Sequence, residues 1–403
     1  MKEGWQVKRL GDISTISYGY TAKSSTEKGN YKYLRITDIQ NNSVFWENVP
    51  FCNCSKEDAT KYELIEGDIV FVRTGATTGK SFLLKGNFPK SLFASYLIRL
   101  QLINKDELLP DFLRYYFDTS EYWDIIDIGI VGAAQGGFNA TKLSQLRIPT
   151  PPLSEQQRIV KILDTAFAKI DTVKQNAERN LQNTKELFQS VLESIFLFEK
   201  EKHTRVMINE VTEVLNGFAF SSKDFSPSNK IKSIKITNVG VKEFINDVEN
   251  NLPENFKNDF KDISVHEGDI VLALTRTIIS AGIKVAIVPR EYEGALLNQR
   301  VAALVADERK ISRSYLYYYL TSDIVVKYVM EHVNTLMQPN LSINDLKKMS
   351  IPLPPISEQQ QIVSKLDALS AKCKELENNY LKTVNDCDEL KKAILAKAFN
   401  GEL

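Results

Sequence analysis

Ile148-Pro149-Thr150-Pro151-Pro152-Leu153-Ser154-Glu155-Gln156-Gln157 returns later in the chain as Ile351-Pro352-Leu353-Pro354-Pro355-Ile356-Ser357-Glu358-Gln359-Gln360. Prolines followed by Ser, Glu and Gln form a helix-entry pattern. Proline ends the preceding element, and short polar side chains satisfy the open amides of a first turn. Beyond Ser154, apolar residues fall at Ile159, Leu163, Ala166, Ile170, Val173, Ala177, Phe188, Val191 and Ile195. Beyond Ser357 they fall at Ile362, Leu366, Leu369, Cys373, Leu376, Tyr380, Cys387, Leu390 and Ile394. Steps of three and four sustained over this length are a heptad seam, which predicts two helices of roughly 60–70 Å each.

Working outward, the rest of the chain repeats too. Gly67-Asp68-Ile69-Val70-Phe71-Val72-Arg73-Thr74 is answered by Gly268-Asp269-Ile270-Val271-Leu272-Ala273-Leu274-Thr275. Leu34-Arg35-Ile36-Thr37-Asp38-Ile39 is echoed by Ile234-Lys235-Ile236-Thr237-Asn238-Val239, and Phe112-Leu113-Arg114-Tyr115-Tyr116 by Tyr315-Leu316-Tyr317-Tyr318-Tyr319. The order is kept and the separation stays near about 200 residues, the mark of a tandem duplication. The Gly-Asp turns run into buried strands, and the tyrosine-rich segments have helical spacing. The expected fold is α+β, with two repeated globular domains separated and joined by two long helices that pair as an antiparallel coiled coil. The expected boundaries are 1–153 and 204–356 for the domains, and 154–203 and 357–403 for the helices.

Bulk composition narrows the class. The 403 residues carry 51 Lys and Arg against 51 Asp and Glu. A nucleic-acid binder with that balance must concentrate its positive charge locally or draw it from partners. No apolar run is long enough to span a bilayer, and the start, Met1-Lys2-Glu3-Gly4-Trp5, lacks the apolar core of a signal peptide. Cys52, Cys54, Cys373 and Cys387 form neither a disulfide framework nor a complete metal-ligand set, so a reducing cytoplasm is expected. Cys373 and Cys387 lie two heptads apart on the seam and read as small core residues.

Antiparallel pairing of two similar helices would give an approximate two-fold axis, as duplex DNA has. Each domain could then meet a major groove equivalently, with the helices setting the gap between two half-sites. At this point the sequence resembles the specificity (S) subunits of type I restriction-modification systems. The GDIV strand with its RTGATTGK loop carries the resemblance, together with the doubled proline–SEQQ helix entry and the duplication of both. The resemblance covers essentially the whole chain. It implies two target recognition domains reading a bipartite asymmetric DNA site. It also implies helices that dock two methyltransferase (M) subunits, which carry S-adenosylmethionine and methylate adenine. Nuclease/translocase (R) subunits, using ATP and Mg, would join where present. The S subunit binds no cofactor directly and is non-catalytic.

Candidate DNA-contacting residues cluster in loops. Gly75-Ala76-Thr77-Thr78-Gly79-Lys80-Ser81 follows a strand but has one residue too few between its glycines for a Walker A loop. Arg73, Thr74, Thr77 and Lys80, with Arg276, Thr277, Ser280 and Lys284 in the second copy, suit phosphates and guanine edges, arginine gripping guanine bidentately. An ion pair within the fold is the other reading of Arg73 and Arg276. Gln135 and Asn139, with Gln338 and Asn340, could read adenine or equally cap turns. Tyr20 and Lys23, and Phe218 with Lys223, lie in loops after the first element of each domain. Asn298-Gln299-Arg300 is open to either reading, and Lys8-Arg9 and Lys347-Lys348 read as solvated surface.

Enzymatic readings lack their residues. The two Pro-Pro pairs have no flanking Asn or Asp and aromatic residue of an adenine methyltransferase. No carboxylate–lysine set of a metal-dependent nuclease is visible around Pro110-Asp111 or Glu308-Arg309-Lys310, and His203, His266 and His332 are scattered. The remaining alternative is a coiled-coil scaffold or DNA-binding regulator outside restriction-modification.

Overall fold

The computed structural model describes residues 3–40, 43–131, 138–246, 251–280, 282–332 and 340–403. The chain forms two compact units, Met1–Glu178 with Lys382–Leu403, and Arg179–Leu381. Each unit therefore holds one globular domain, the start of one long helix and the end of the other. The long helices span Leu153–Lys202 and Ile356–Phe399.

The Gly-Asp pairs nucleate the central strand of each unit. Gly67 has φ +92° and Gly268 φ +87°, a left-handed conformation that favours glycine at the third position of a tight turn. Asp68 and Asp269 close that turn. Their amides donate to the carbonyls of Ile65 and His266, and their carboxylates accept from the amides of the same two residues at 3.0 and 2.8 Å. Burial raises both carboxyls above the usual aspartate range.

The strands that follow, Ile69–Val72 and Ile270–Ala273, are buried at every position. Both faces are covered, so the run is apolar throughout rather than alternating. Ile69 and Phe71 face a large core shared with the helices, and Val70 and Val72 a smaller one beneath the second sheet. Ile270 and Leu272 divide from Val271 and Ala273 in the same way.

Each strand sits third in a four-stranded antiparallel sheet. The order is Ser14–Tyr18, Leu97–Leu102, Ile69–Val72, Ser81–Leu83 in the first unit, and Thr212–Asn216, Val301–Ala306, Ile270–Ala273, Val285–Ile287 in the second. Registers correspond as well, Ile69 opposite Leu100 and Ile270 opposite Leu304. A second sheet contains one parallel pair in each unit, Tyr31–Leu34 with Ser91–Phe93 and Ile231–Ile234 with Ala295–Leu297. The first strand of each domain pairs with its last, Gln6–Arg9 with Arg147–Thr150 and Arg205–Met207 with Ser350–Pro352. That closure delivers the chain to the long helix at a fixed point.

The SEQQ motif locks the helix to its domain. Gln156 is fully buried. Its Oε1 accepts from the Leu109 amide at 2.9 Å, and its Nε2 donates to the carbonyls of Glu107 and Pro151 at 2.8 Å each. Gln359 repeats the arrangement with the Ser312 amide and the carbonyls of Lys310 and Pro354. The serines lie inside the first turn rather than capping it. The Pro152 and Pro355 carbonyls accept the first helical bonds, from Glu155 and Gln156 and from Glu358 and Gln359.

The tyrosine-rich segments are helices, Pro110–Tyr116 and Arg313–Leu320. Tyr115 donates to Asp164 at 2.5 Å, and Tyr318 to Asp367 at 2.6 Å. The end of the other long helix fills each aromatic nest. Phe399 packs on Phe112 and Tyr116, and Phe196 on Tyr315 and Tyr319. Within the first unit the helix segments run antiparallel, joined by Lys174 to Asp388 at 2.7 Å and Lys391 to Asp171 at 2.5 Å.

The heptad reading needs correction in places. Ile159, Leu163, Ile170, Ala177, Ile362, Leu366, Cys373 and Cys387 are buried, but Val173, Leu376 and Leu390 are 49%, 42% and 49% exposed. Leu192, Phe196, Leu395 and Ala398 are buried in positions outside the expected seam. Near its ends each helix packs on a domain as well as on its partner, so the apolar stripe widens and turns away from a strict a/d seam.

Replacing Gln359 by Leu strips three backbone groups of their partners. The expected loss is about 3 kcal/mol of stability, measured by urea unfolding of the full chain, against under about 0.5 kcal/mol for Gln360→Leu at the exposed neighbouring position.

Candidate nucleic-acid interface

Beyond the buried strand, both units project the same hairpin. In the first unit Val72 N donates to Lys80 O and Lys80 N to Thr77 O; in the second Ala273 N donates to Lys284 O and Lys284 N to Thr277 O. Lys80 and Lys284 thus occupy one position. Both are half-buried at the hairpin base. The connection is three residues longer in the second unit, 11 residues from 274 to 284 against eight from 73 to 80. The extra length forms the short pair Ile278–Ile279 with Gly282–Ile283.

The arginines do not correspond. Arg73 N donates to Tyr96 O and Arg73 O accepts from Phe138 N; the matching bonds in the second unit belong to Leu274, with Arg300 O and Leu341 N. Arg276 therefore stands where Gly75 stands. Gly75 has φ +90° and Arg276 φ +49°. Arg276 holds this left-handed conformation with its amide donating to Asn340 Oδ1 at 3.1 Å, at a cost of roughly 1–2 kcal/mol relative to right-handed backbone.

Among the described residues neither arginine joins an ion pair with a carboxylate. The Arg73 guanidinium lies 4.8 Å over the Tyr18 ring and donates to Ser95 O at 3.4 Å. Arg276 is exposed, and Lys284 donates to Ile236 O at 2.8 Å. Burial and the Arg276 charge hold the Lys284 ammonium below the ordinary lysine range. Two close cations suit an anionic ligand.

Other candidate residues divide by burial. Thr77 and Ser280 are exposed and Thr74 is half-buried. Thr277 is fully buried, its hydroxyl accepting from Leu341 N, which removes it from any surface a ligand touches. Asn139 caps a short helix, accepting from Lys142 N at 2.9 Å. Asn340 pins the Arg276 loop, so both asparagines have structural work. Gln135 and Gln338 lie outside the described residues.

Tyr20 and Phe218 are also equivalent. Each bridges the second sheet, Tyr20 to Ala94 and Phe218 to Asn298. The glycine before each is required, because a Cβ on Gly19 or Gly217 would collide with the carbonyl of Ala94 or Asn298. Tyr20 turns inward, its ring 5.2 Å from Tyr62 and its hydroxyl raised by a hydrogen bond to Cys54. Phe218 is 48% exposed and stacks with Phe220 and Phe260. Lys23 and Lys223 are exposed.

Sequence reasoning missed Tyr18 and Tyr96, which frame Arg73, and left open Arg300, which replaces Tyr96 in the second unit. Tyr96 is 63% exposed beside a groove lined by Ala22, Ser24, Arg35 and Thr37. For Tyr96 and Arg300 the available signal was their matching place in the repeat, three residues beyond the strands Ser91–Phe93 and Ala295–Leu297.

A family model described as the type I restriction modification DNA specificity domain matches residues 2–180 and again 200–386. The type I restriction enzyme MjaVIII specificity subunit of Methanocaldococcus jannaschii is 27% identical over 382 residues, covering 91% of this chain and 86% of that protein. The EcoKI specificity subunit of Escherichia coli is 25% identical over 431 residues, covering 100% and 90%. The fold is similar to a structure solved for the complex assembly and conformational transition of the type I R-M system, with TM-score 0.78, 19% identity and coverage of 100% and 99%. The crystal structure of the HsdS subunit from Thermoanaerobacter tengcongensis gives TM-score 0.59 at 19% identity, covering 100% and 98%. Matched twice along its length, the chain belongs to the type I restriction-modification DNA specificity family.

Proposed function

We propose that this chain is the DNA-reading subunit of a type I restriction-modification complex, each unit reading one half of a split, asymmetric site. One observation carries the reading. The two hairpins share their supporting backbone bonds but differ in residue, Arg73 and Gly75 against Leu274 and Arg276, as does the loop beside them, Tyr96 against Arg300. A common scaffold with exchanged tips is what two different half-sites require. Exposed arginine supplies the bidentate grip on guanine, and Lys80 and Lys284 at the hairpin bases suit phosphates. Thr77 and Ser280 are accessible hydroxyls for either role.

The subunit is non-catalytic, and the chemistry falls to its partners. Two M subunits, docked on the long helices and adjoining domain surfaces, would bring S-adenosylmethionine; R subunits, where present, would bring ATP and Mg. Support comes from the relatives' names as specificity subunits of type I restriction enzymes. The same names, with the doubled domain match, leave the scaffold alternative without a favouring observation.

Methylome sequencing of cells expressing the chain with its M partner should return a bipartite adenine-methylated motif with undefined bases between its halves. A continuous motif would sink the proposal. Arg276→Gly removes the left-handed strain together with the side chain. It should raise stability by about 0.5–1 kcal/mol while weakening specific DNA binding at least about tenfold, read by unfolding and by anisotropy at fixed salt. Unchanged affinity would remove Arg276 from the interface. Arg73→Ala should relax the motif in one half-site only.

A further inference from the structure

In the second unit the end of the first long helix meets the start of the second, and three ionisable side chains converge there. Glu199 lies in the last turn of Leu153–Lys202 and is 4% exposed. His203 follows that helix, and Glu358 lies in the first turn of Ile356–Phe399. His203 Nε2 is 3.3 Å from Glu199 Oε2 and 3.2 Å from Glu358 Oε2, with all three ligand atoms within 4.8 Å of one another. Neither Glu199 Oε2 nor His203 Nε2 makes a directional hydrogen bond with a protein group, although both are buried.

A buried carboxylate oxygen without a donor is costly unless a positive charge supplies the balance. Burial, then the neighbouring Glu358 charge, raises the Glu199 carboxyl. Lys202 pairs with Glu358 Oε1 rather than with Glu199. In the first unit the corresponding glutamate, Glu155, is gripped by Arg158 at 2.7 and 2.8 Å, and Arg158 also donates to the Leu403 carbonyl. In the second repeat Gln361 replaces that arginine. In the second unit Lys202 reaches only the far oxygen of Glu358, and Glu199 Oε2 and His203 Nε2 are left without a hydrogen-bond partner.

The two separations from His203 Nε2 suit a metal. Ligand atoms around tetrahedral zinc, with bonds of 2.0–2.2 Å, stand about 3.3 Å apart. An imidazole among the donors favours zinc and its transition-metal neighbours over magnesium or calcium. Lys202 on the far oxygen of Glu358 would orient that ligand from behind. We propose that Glu199, His203 and Glu358 bind one divalent transition-metal ion of the zinc class. The ion ties the end of the first long helix to the start of the second beside the second recognition domain. Water completes its coordination on the side where Glu358 and His203 are part-exposed.

The test uses the full chain, stripped with chelator and reloaded with Zn²⁺ or Co²⁺. After gel filtration one equivalent of zinc should remain per chain, and the melting temperature should rise with zinc concentration. Co²⁺ should give visible d–d bands without thiolate charge transfer, which separates this site from Cys52, Cys54, Cys373 and Cys387. Glu199→Gln, His203→Gln and Glu358→Gln should each weaken binding at least tenfold. The last two positions are partly exposed and keep the test valid if the buried substitution impairs folding. No stoichiometric metal in the parent chain overturns the proposal, as does a thiolate band, or equal binding by His203→Gln and Glu358→Gln.

Discussion

Two buried carboxamides hold this architecture together. Gln156 and Gln359 each bond three backbone groups belonging to a helix entry and to the loop before a tyrosine-rich helix. An amide is suited to the place because it offers a donor and an acceptor without charge, so it can be buried with its polar atoms paired. Around it, strand closure at Gln6–Arg9 and Arg205–Met207 fixes where the chain leaves each domain. The Tyr115–Asp164 and Tyr318–Asp367 bonds fix the direction in which it leaves. A long helix amplifies any error at its root, so its entry has to be rigid for the rest of the helix to be placed.

The same logic explains which parts of the repeat match. Gly-Asp turns, doubly covered strands and helix entries are constrained by burial and by bonds whose partners are backbone. Their sequence varies little between copies because the geometry admits few alternatives. The hairpin tips beyond Arg73 and Leu274 meet solvent, and three extra residues fit there without disturbing the lysine at the base. Matching sequence therefore marks support, and divergence marks the surface left free to vary.

Much of the fold was legible before any coordinates: the duplication, the α+β domains, the tyrosine-rich helices and the two long helices. The site was less so, and each failure has a physical cause. Thr277 resembles an exposed hydroxyl in sequence, yet the three-residue insertion turns it inward under Leu341. Asn139 and Asn340 present adenine-reading chemistry, but Asn139 caps its own helix by a local bond, and Asn340 accepts from the Arg276 amide of a loop brought beside it by the fold. Arg73 and Arg276 look like one residue repeated until backbone pairing shows that Arg276 holds the place of Gly75. Val173, Leu376 and Leu390 stay exposed, and the seam missed Leu192, Phe196, Leu395 and Ala398 because a heptad pattern cannot tell a partner helix from a globular domain. Glu199, His203 and Glu358 were invisible together, since histidine and the second glutamate are separated in sequence by a whole recognition domain.

Arg276 shows how the two kinds of constraint meet. A side chain in the left-handed region burdens the fold, and the first copy avoids that burden with glycine at the same position. Among the described residues nothing repays it: the residue is exposed, and its one described hydrogen bond uses the main-chain amide, which glycine would supply equally. Strain retained without a structural return points outward, to whatever the guanidinium meets. The neighbouring Lys284, destabilised as a cation by burial and then by that same guanidinium, puts a second positive charge on the same hairpin, met by the Ile236 carbonyl. An incoming polyanion would suit both charges, which is why the proposed DNA reading puts the second unit's contact on this hairpin.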